Sequence, residues 1–137
     1  MDIIVTTPKS RMKDAAAEAA DCIAAGGGQY FRRFPPHHHP VIASGCRVYY
    51  VEDGYLRGFA IVSRVEQFDV AVQCSTTGQI WAPGFYVFMD ARTWKWVRPI
   101  PMKGFQGFRY AVPYNFPADT RIEIVGDWFD PKPEAPR

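Results

Sequence analysis

The sequence predicts a small β-barrel, mainly β with one or two short helices (an α+β chain), and three observations carry that reading. Short runs of β-branched and aromatic residues recur along the chain, separated by turns that use many of its 11 glycines and 12 prolines. One pair of runs flanks Asp53-Gly54, a dipeptide that fills both left-handed positions of a type I′ turn. A single stretch near the N-terminus carries the three-and-four spacing of an amphipathic helix.

The elements follow in order. Ile3 to Thr6 reads as a short buried strand. Thr7-Pro8 then offers a helix start, with Thr7 as N-cap and Pro8 at the first helical position, where a missing N–H costs nothing. Met12, Ala15, Ala16, Ala19 and Ile23 form one narrow apolar stripe, and Gly26-Gly27-Gly28 ends it. Tyr30 to Gly45 is a loop with a short strand at Tyr30 to Phe34. Arg47 to Glu52 and Tyr55 to Val62 form the hairpin, with Val51 facing Leu56, Tyr50 facing Arg57, Tyr49 facing Gly58 and Val48 facing Phe59. In that register Gly58 leaves Tyr49 room to lie flat on the sheet. Further strands are expected at Phe68 to Cys74, Phe85 to Asp90, Gly107 to Val112 and Arg121 to Val125. The 137 residues make one domain over 1–130, with residues 131–137 expected to be a flexible tail.

Apolar residues at 47% and charged residues at 22% are ordinary globular values, which argues against a disordered chain. No run approaches the roughly eighteen apolar residues of a membrane span. The first residues lack the basic segment, apolar run and small-residue cleavage site of a secretory signal. Three widely spaced cysteines, Cys22, Cys46 and Cys74, suit free thiols better than a disulfide framework. The expected location is therefore the cytoplasm, with no membrane partner.

Net charge is only +2, yet its distribution is uneven. No acid occurs from Cys22 to Val51, where Arg32, Arg33 and Arg47 lie, nor between Asp90 and Asp119, where Arg92, Lys95, Arg98, Lys103 and Arg109 lie. Such segregation can build a positive face on a nearly neutral protein. Chance clustering on a solvated surface is the alternative. Trp81, Phe85, Tyr86, Trp94, Trp96, Phe105, Phe108 and Tyr110 interleave with the second basic run. Aromatic rings offer bases a stacking platform while basic side chains hold the phosphates, so the pattern suits single-stranded or extruded nucleotides. Half or more of these rings are also needed for the core.

His37, His38 and His39 do not make a metal site by spacing, because consecutive residues in an extended chain point to alternate sides. No phosphate-binding loop, nucleophile elbow or dinucleotide fingerprint is present. Neither a metal nor a cofactor is expected. Catalysis is left open, with Tyr30, Arg32, Arg33 and one loop histidine as the candidates for acid–base and phosphate roles.

The order strand, helix, glycine turn, basic loop, followed by Gly45-Cys46-Arg47-Val48-Tyr49-Tyr50-Val51 and Gly54-Tyr55-Leu56-Arg57-Gly58-Phe59-Ala60-Ile61-Val62, resembles the PUA-like superfamily with its ASCH and EVE branches. The resemblance spans about residues 2 to 112. It implies a small β-barrel with flanking helices that binds RNA, DNA or a modified nucleotide in a cleft. The ASCH branch further implies a ribonuclease, through a glycine, lysine and glutamate pattern after the first helix; this chain has Gly28, Tyr30, Arg32 and Arg33 there, without an acid. The EVE branch implies an aromatic pocket around a modified base.

Together these readings give an expected function as a nucleic-acid or modified-nucleotide binding module. Its site residues would be Tyr30, Arg32, Arg33, Trp81, Trp94, Trp96, Arg98, Lys103 and Arg109, in an aromatic and basic cleft. An ASCH-like ribonuclease, another nucleotide-directed enzyme, and a protein-interaction domain that buries an aromatic surface are the alternatives.

Overall fold

A computed structural model describes residues 1–7, 23–24, 26, 28–73, 78 and 80–136. Its strands are β1 (Ile3–Thr6), β2 (Gln29–Phe34), β3 (Arg47–Glu52), β4 (Tyr55–Phe68), β5 (Val72–Gln73), β6 (Ile80–Trp81), β7 (Gly84–Pro101), β8 (Phe108–Tyr110) and β9 (Ile124–Asp127). A short 3₁₀ turn spans Pro113–Asn115. Most of the helix predicted between Thr7 and Gly26 lies outside the described residues; Ile23 and Ala24 are helical.

Seven strands form one sheet in the order β2-β7-β4-β3-β1-β8, with β9 beside the second half of β7, and β5 and β6 pair separately. β1 runs parallel to β3, while the other ladders are antiparallel. The sheet curls into a half-barrel. Its edge strands β2 and β8 share no backbone ladder among the described residues, and side chains span the gap. Phe34 meets Phe108 edge-on at 5.6 Å, Arg32 donates to the Thr6 carbonyl at 3.3 Å, and the Val41 N–H donates to the Tyr110 hydroxyl at 3.0 Å.

Both faces of the sheet carry apolar packing. The concave side holds Ile3, Val5, Tyr30, Phe34, Val48, Tyr50, Ala60, Val62, Phe85, Val87, Met89, Trp94 and Trp96. On the convex side Ile4, Tyr49, Val51, Leu56, Phe59, Val97 and Ile100 lie under Met102, Phe105, Phe116 and Ile122. The chain after β7 therefore folds back as a cover over the β1-β3-β4 region. A two-faced sheet explains why so few apolar–polar alternations are clean in the sequence.

The hairpin closes as its turn residues require. Asp53 has φ +50° and Gly54 φ +80°, the two left-handed positions of the type I′ turn. Replacing Gly54 by Val puts a β-branched residue at that φ and is expected to cost about 1–3 kcal/mol, read as a lower denaturant midpoint; an unchanged midpoint contradicts the turn assignment. The predicted register holds only for Val51 and Leu56. A bulge at Arg57 then sets Gly58 opposite Tyr50 and Phe59 opposite Tyr49. The space at Gly58 serves Trp94 instead of Tyr49, since a Cβ there would lie 2.5 Å from Cζ2 of the Trp94 indole.

β4 and β7 are longer than the sequence suggests, at 14 and 18 residues. They stay paired along their length only through register shifts. At one of these the side chains replace the missing ladder: the Thr93 hydroxyl accepts from the Ile61 N–H at 2.8 Å and donates to the Asp90 carbonyl at 2.6 Å.

The predicted strand at Phe68 to Cys74 is divided, with Phe68 ending β4 and Val72–Gln73 forming β5; Cys74 lies outside the described residues, as does Cys22. Cys46 is a free thiol. The segment from Pro131 to Pro136, expected to be a flexible tail, lies against the β3–β4 hairpin, where Lys132 pairs with Glu52 at 3.3 Å.

Candidate nucleic-acid interface

Alternation along β2 separates neighbours in sequence. Tyr30 and Phe34 point into the concave core, whereas Phe31 and Arg33 stand on the convex face. β7 does the same, sending Phe85 and Val87 inward and Tyr86 and Phe88 outward. The ladders then align Phe31 with Phe88 and Arg64, and Arg33 with Tyr86 and Glu66. These rows form one end of the convex face.

Trp81, carried on β6, lies across the rows. Its ring stacks on Tyr86 at 5.5 Å and an interplanar angle of 24°, and meets Phe31 at 5.6 Å and Phe68 at 5.9 Å. Two hydrogen bonds fix the connection that brings it there. The Tyr86 hydroxyl donates to the Ala82 carbonyl at 2.6 Å, and Arg33 Nε donates to the Pro83 carbonyl at 3.0 Å. Phe31 remains 40% exposed, so the cluster ends in an accessible ring. Arg64 caps the neighbouring Phe88 ring at 3.8 Å and pairs with Glu66. Arg33 donates to a neutral carbonyl and has no carboxylate within ion-pair distance among the described residues. Its charge therefore stands two residues from the exposed ring on the same strand face, unpaired among the described residues.

The predicted site residues fall in four places. Arg33 and Trp81 both belong to this aromatic shelf, Arg33 opposite Tyr86 in the ladder and Trp81 stacked on the Tyr86 ring. Tyr30, Trp94 and Trp96 belong to the concave core, with exposures of 6%, 0% and 3%. They do not line an open cleft. Arg32, Lys103 and Arg109 gather near the end of β1: Arg32 reaches the Thr6 carbonyl, Lys103 lines a groove of about 330 Å³ with Thr6, Thr7 and Gly54, and Arg109 lies over Phe105 at 4.3 Å. Phe105 in turn donates its N–H to the Thr6 hydroxyl at 3.1 Å, which ties that loop to β1. Arg98 stands apart and pairs with Glu123 at 3.2 Å, both side chains exposed.

Phe31, Arg64, Phe68 and Phe88 were not among the sequence-derived site residues. The signal for Phe31 was present in the sequence, because in a strand Phe31 shares a face with Arg33 and not with Arg32. The others depend on cross-strand register. Among the histidines, His39 stacks on Phe85 at 4.2 Å and His38 lies 5.4 Å from Phe108, while His37 is exposed. Among the described residues no three His, Cys, Asp or Glu side chains gather as a metal site requires. No helix among those residues is long and apolar enough to cross a membrane.

Compared with family models, with curated proteins and with solved structures, the chain matches none.

Proposed function

We propose that this chain is a nucleic-acid or modified-nucleotide binding module of the PUA-like kind, which lays a base on the Phe31–Trp81 shelf and holds phosphate with Arg33. The exposed Phe31 ring, packed on Trp81 beside an arginine that lacks an acidic partner among the described residues, carries this reading. A ring already fixed by neighbours loses little freedom when a base stacks on it, and such stacking contributes about 1–3 kcal/mol per base. Arg32, Lys103 and Arg109 form a separate group near the end of β1. The PUA-like part of this reading rests on the sequence resemblance alone, that is, the order of elements and the run Gly45 to Val62.

Two substitutions separate the roles. Phe31→Ala is expected to weaken binding of short single strands by about 5- to 100-fold and to lower the melting temperature less than loss of a fully buried ring, since Phe31 is 40% exposed though it packs on three rings. Arg33→Gln is expected to weaken all strands alike and to lower the salt slope by about one unit. Affinity for plain and base-modified RNA and DNA at two salt concentrations, beside melts of each variant, tests both. If the parent binds no strand more tightly than about millimolar at low salt, this reading is wrong. Turnover of an RNA strand in the same samples distinguishes a nuclease from a binder.

A protein-interaction surface is the second reading, favoured by Val70 and Ile80, which are 70% and 69% exposed in the strands and turns that carry Trp81. Capture of a partner from nuclease-treated extract, lost on Ile80→Asp, distinguishes it.

A further inference from the structure

Residues 130–136 read Asp-Pro-Lys-Pro-Glu-Ala-Pro. Pro131, Pro133 and Pro136 have φ fixed by their rings, and Asp130, Lys132 and Ala135 each precede a proline, which disfavours helical backbone. Local sterics thus bias six of these seven residues toward extended backbone. Asp130 closes the turn after β9, and from Pro131 onward the bias favours the polyproline II form, whose three residues per turn point carbonyls three apart in one direction.

The sheet reads that period. Trp96 Nε1 donates to the Asp130 carbonyl at 3.1 Å, Arg57 Nη2 to the Pro133 carbonyl at 2.5 Å, and the Tyr55 hydroxyl to the Pro136 carbonyl at 2.9 Å. The acceptors are residues 130, 133 and 136, and the donors are side chains of two paired strands, β4 and β7. Between them Lys132 reaches the carboxylate of Glu52, which is 5% exposed.

Arg57 sits at the bulge and is 6% exposed, with no carboxylate within ion-pair distance among the described residues. Its Nε is buried without a partner, so among the described residues the Pro133 carbonyl is the acceptor recorded for this guanidinium. A buried charge left without that acceptor is costly. The wall is therefore suited to an extended, carbonyl-presenting chain. Three of its four contacts address the main chain, so they fit any segment with the same backbone.

We propose that Tyr55, Arg57 and Trp96 form a docking surface for polyproline II segments, held in cis by residues 130–136, and that a proline-rich segment of another chain with a lysine in the place of Lys132 binds there by exchange. The cis segment competes at an effective concentration of about millimolar, so the surface is closed to weak ligands until that segment is loosened.

The test uses the full chain and a fluorescent peptide with the sequence of residues 130–136. Pro133→Gly with Pro136→Gly, and separately Lys132→Glu, loosen the cis segment by restoring backbone freedom or by placing like charge against Glu52. Each is expected to bind the peptide about tenfold or more tightly than the parent, measured by anisotropy. Adding Tyr55→Phe, which removes only the hydroxyl that reads Pro136, is expected to reduce that binding several-fold while leaving the melt unchanged. Should the double glycine variant not fold, Lys132→Glu decides. Peptide binding equal in the parent and in every folded variant, or absent from all of them at about millimolar, overturns the proposal.

Discussion

Replacing Trp94 by alanine is expected to destabilise the domain by about 3–5 kcal/mol, a large share of the roughly 5–15 kcal/mol that holds a domain folded. The indole is fully buried in the concave core and lies 5.7 Å from Tyr50 and 5.3 Å, edge-on, from Trp96. Truncation removes those ring contacts and leaves a cavity bounded by rigid neighbours that cannot collapse into it. Its Nε1 has no hydrogen-bond partner among the described residues, so the cost is one of packing, and losing an unsatisfied buried donor offsets a part of it. Chemical denaturation of the variant checks this. A Trp94→Ala protein that melts like the parent but loses ligand would return this residue to the binding site. The contrast with Phe31→Ala is the useful measurement, because the two rings separate stability from recognition.

A single added methyl at Gly58 is expected to be nearly as damaging. The Cβ of alanine there would overlap the Lys95 carbonyl oxygen and lie 2.5 Å from the Trp94 ring, and neither is the free end of a flexible chain. Lys95 belongs to β7, paired with Phe59, and the indole is held by Tyr50 and Trp96. The strands must part or the indole must rotate, at a cost of about 1–3 kcal/mol or more. Thermal melting reads the loss. If the cause is steric, Gly58→Ala combined with Trp94→Phe should recover part of it, whereas two independent defects would add.

Much of the strand order was legible. Ile3 to Thr6 and Arg47 to Glu52 are strands at their predicted bounds, and Asp53-Gly54 turns the chain as its φ values demand. Those features are local, since short β-branched runs and a turn dipeptide act through near neighbours. The aromatic and basic site was legible only as a composition. Trp94 and Trp96 share a side in any extended strand, as the sequence indicated, but alternation gives parity without saying which side is inside.

Parity itself changes along β7. Phe85, Val87, Met89 and Ala91 point inward at odd positions, and Trp94 and Trp96 do so at even ones. The change falls where the pairing skips from Ile61–Asp90 to Phe59–Lys95, a register shift no local pattern announces. The same limit explains Gly58, whose neighbour was misassigned by one bulge residue.

By itself, then, the sequence determined the β-rich class and the turn at Asp53-Gly54, because each follows from the sterics of a few adjacent residues. The tertiary structure decided which aromatics form core and which form the shelf, that β1 pairs in parallel with β3, and that Arg57 depends on a carbonyl 76 residues away. Those outcomes depend on which sheet face the later chain covers and on where bulges fall. Both are set by the packing of segments far apart in sequence, after local preferences have been satisfied.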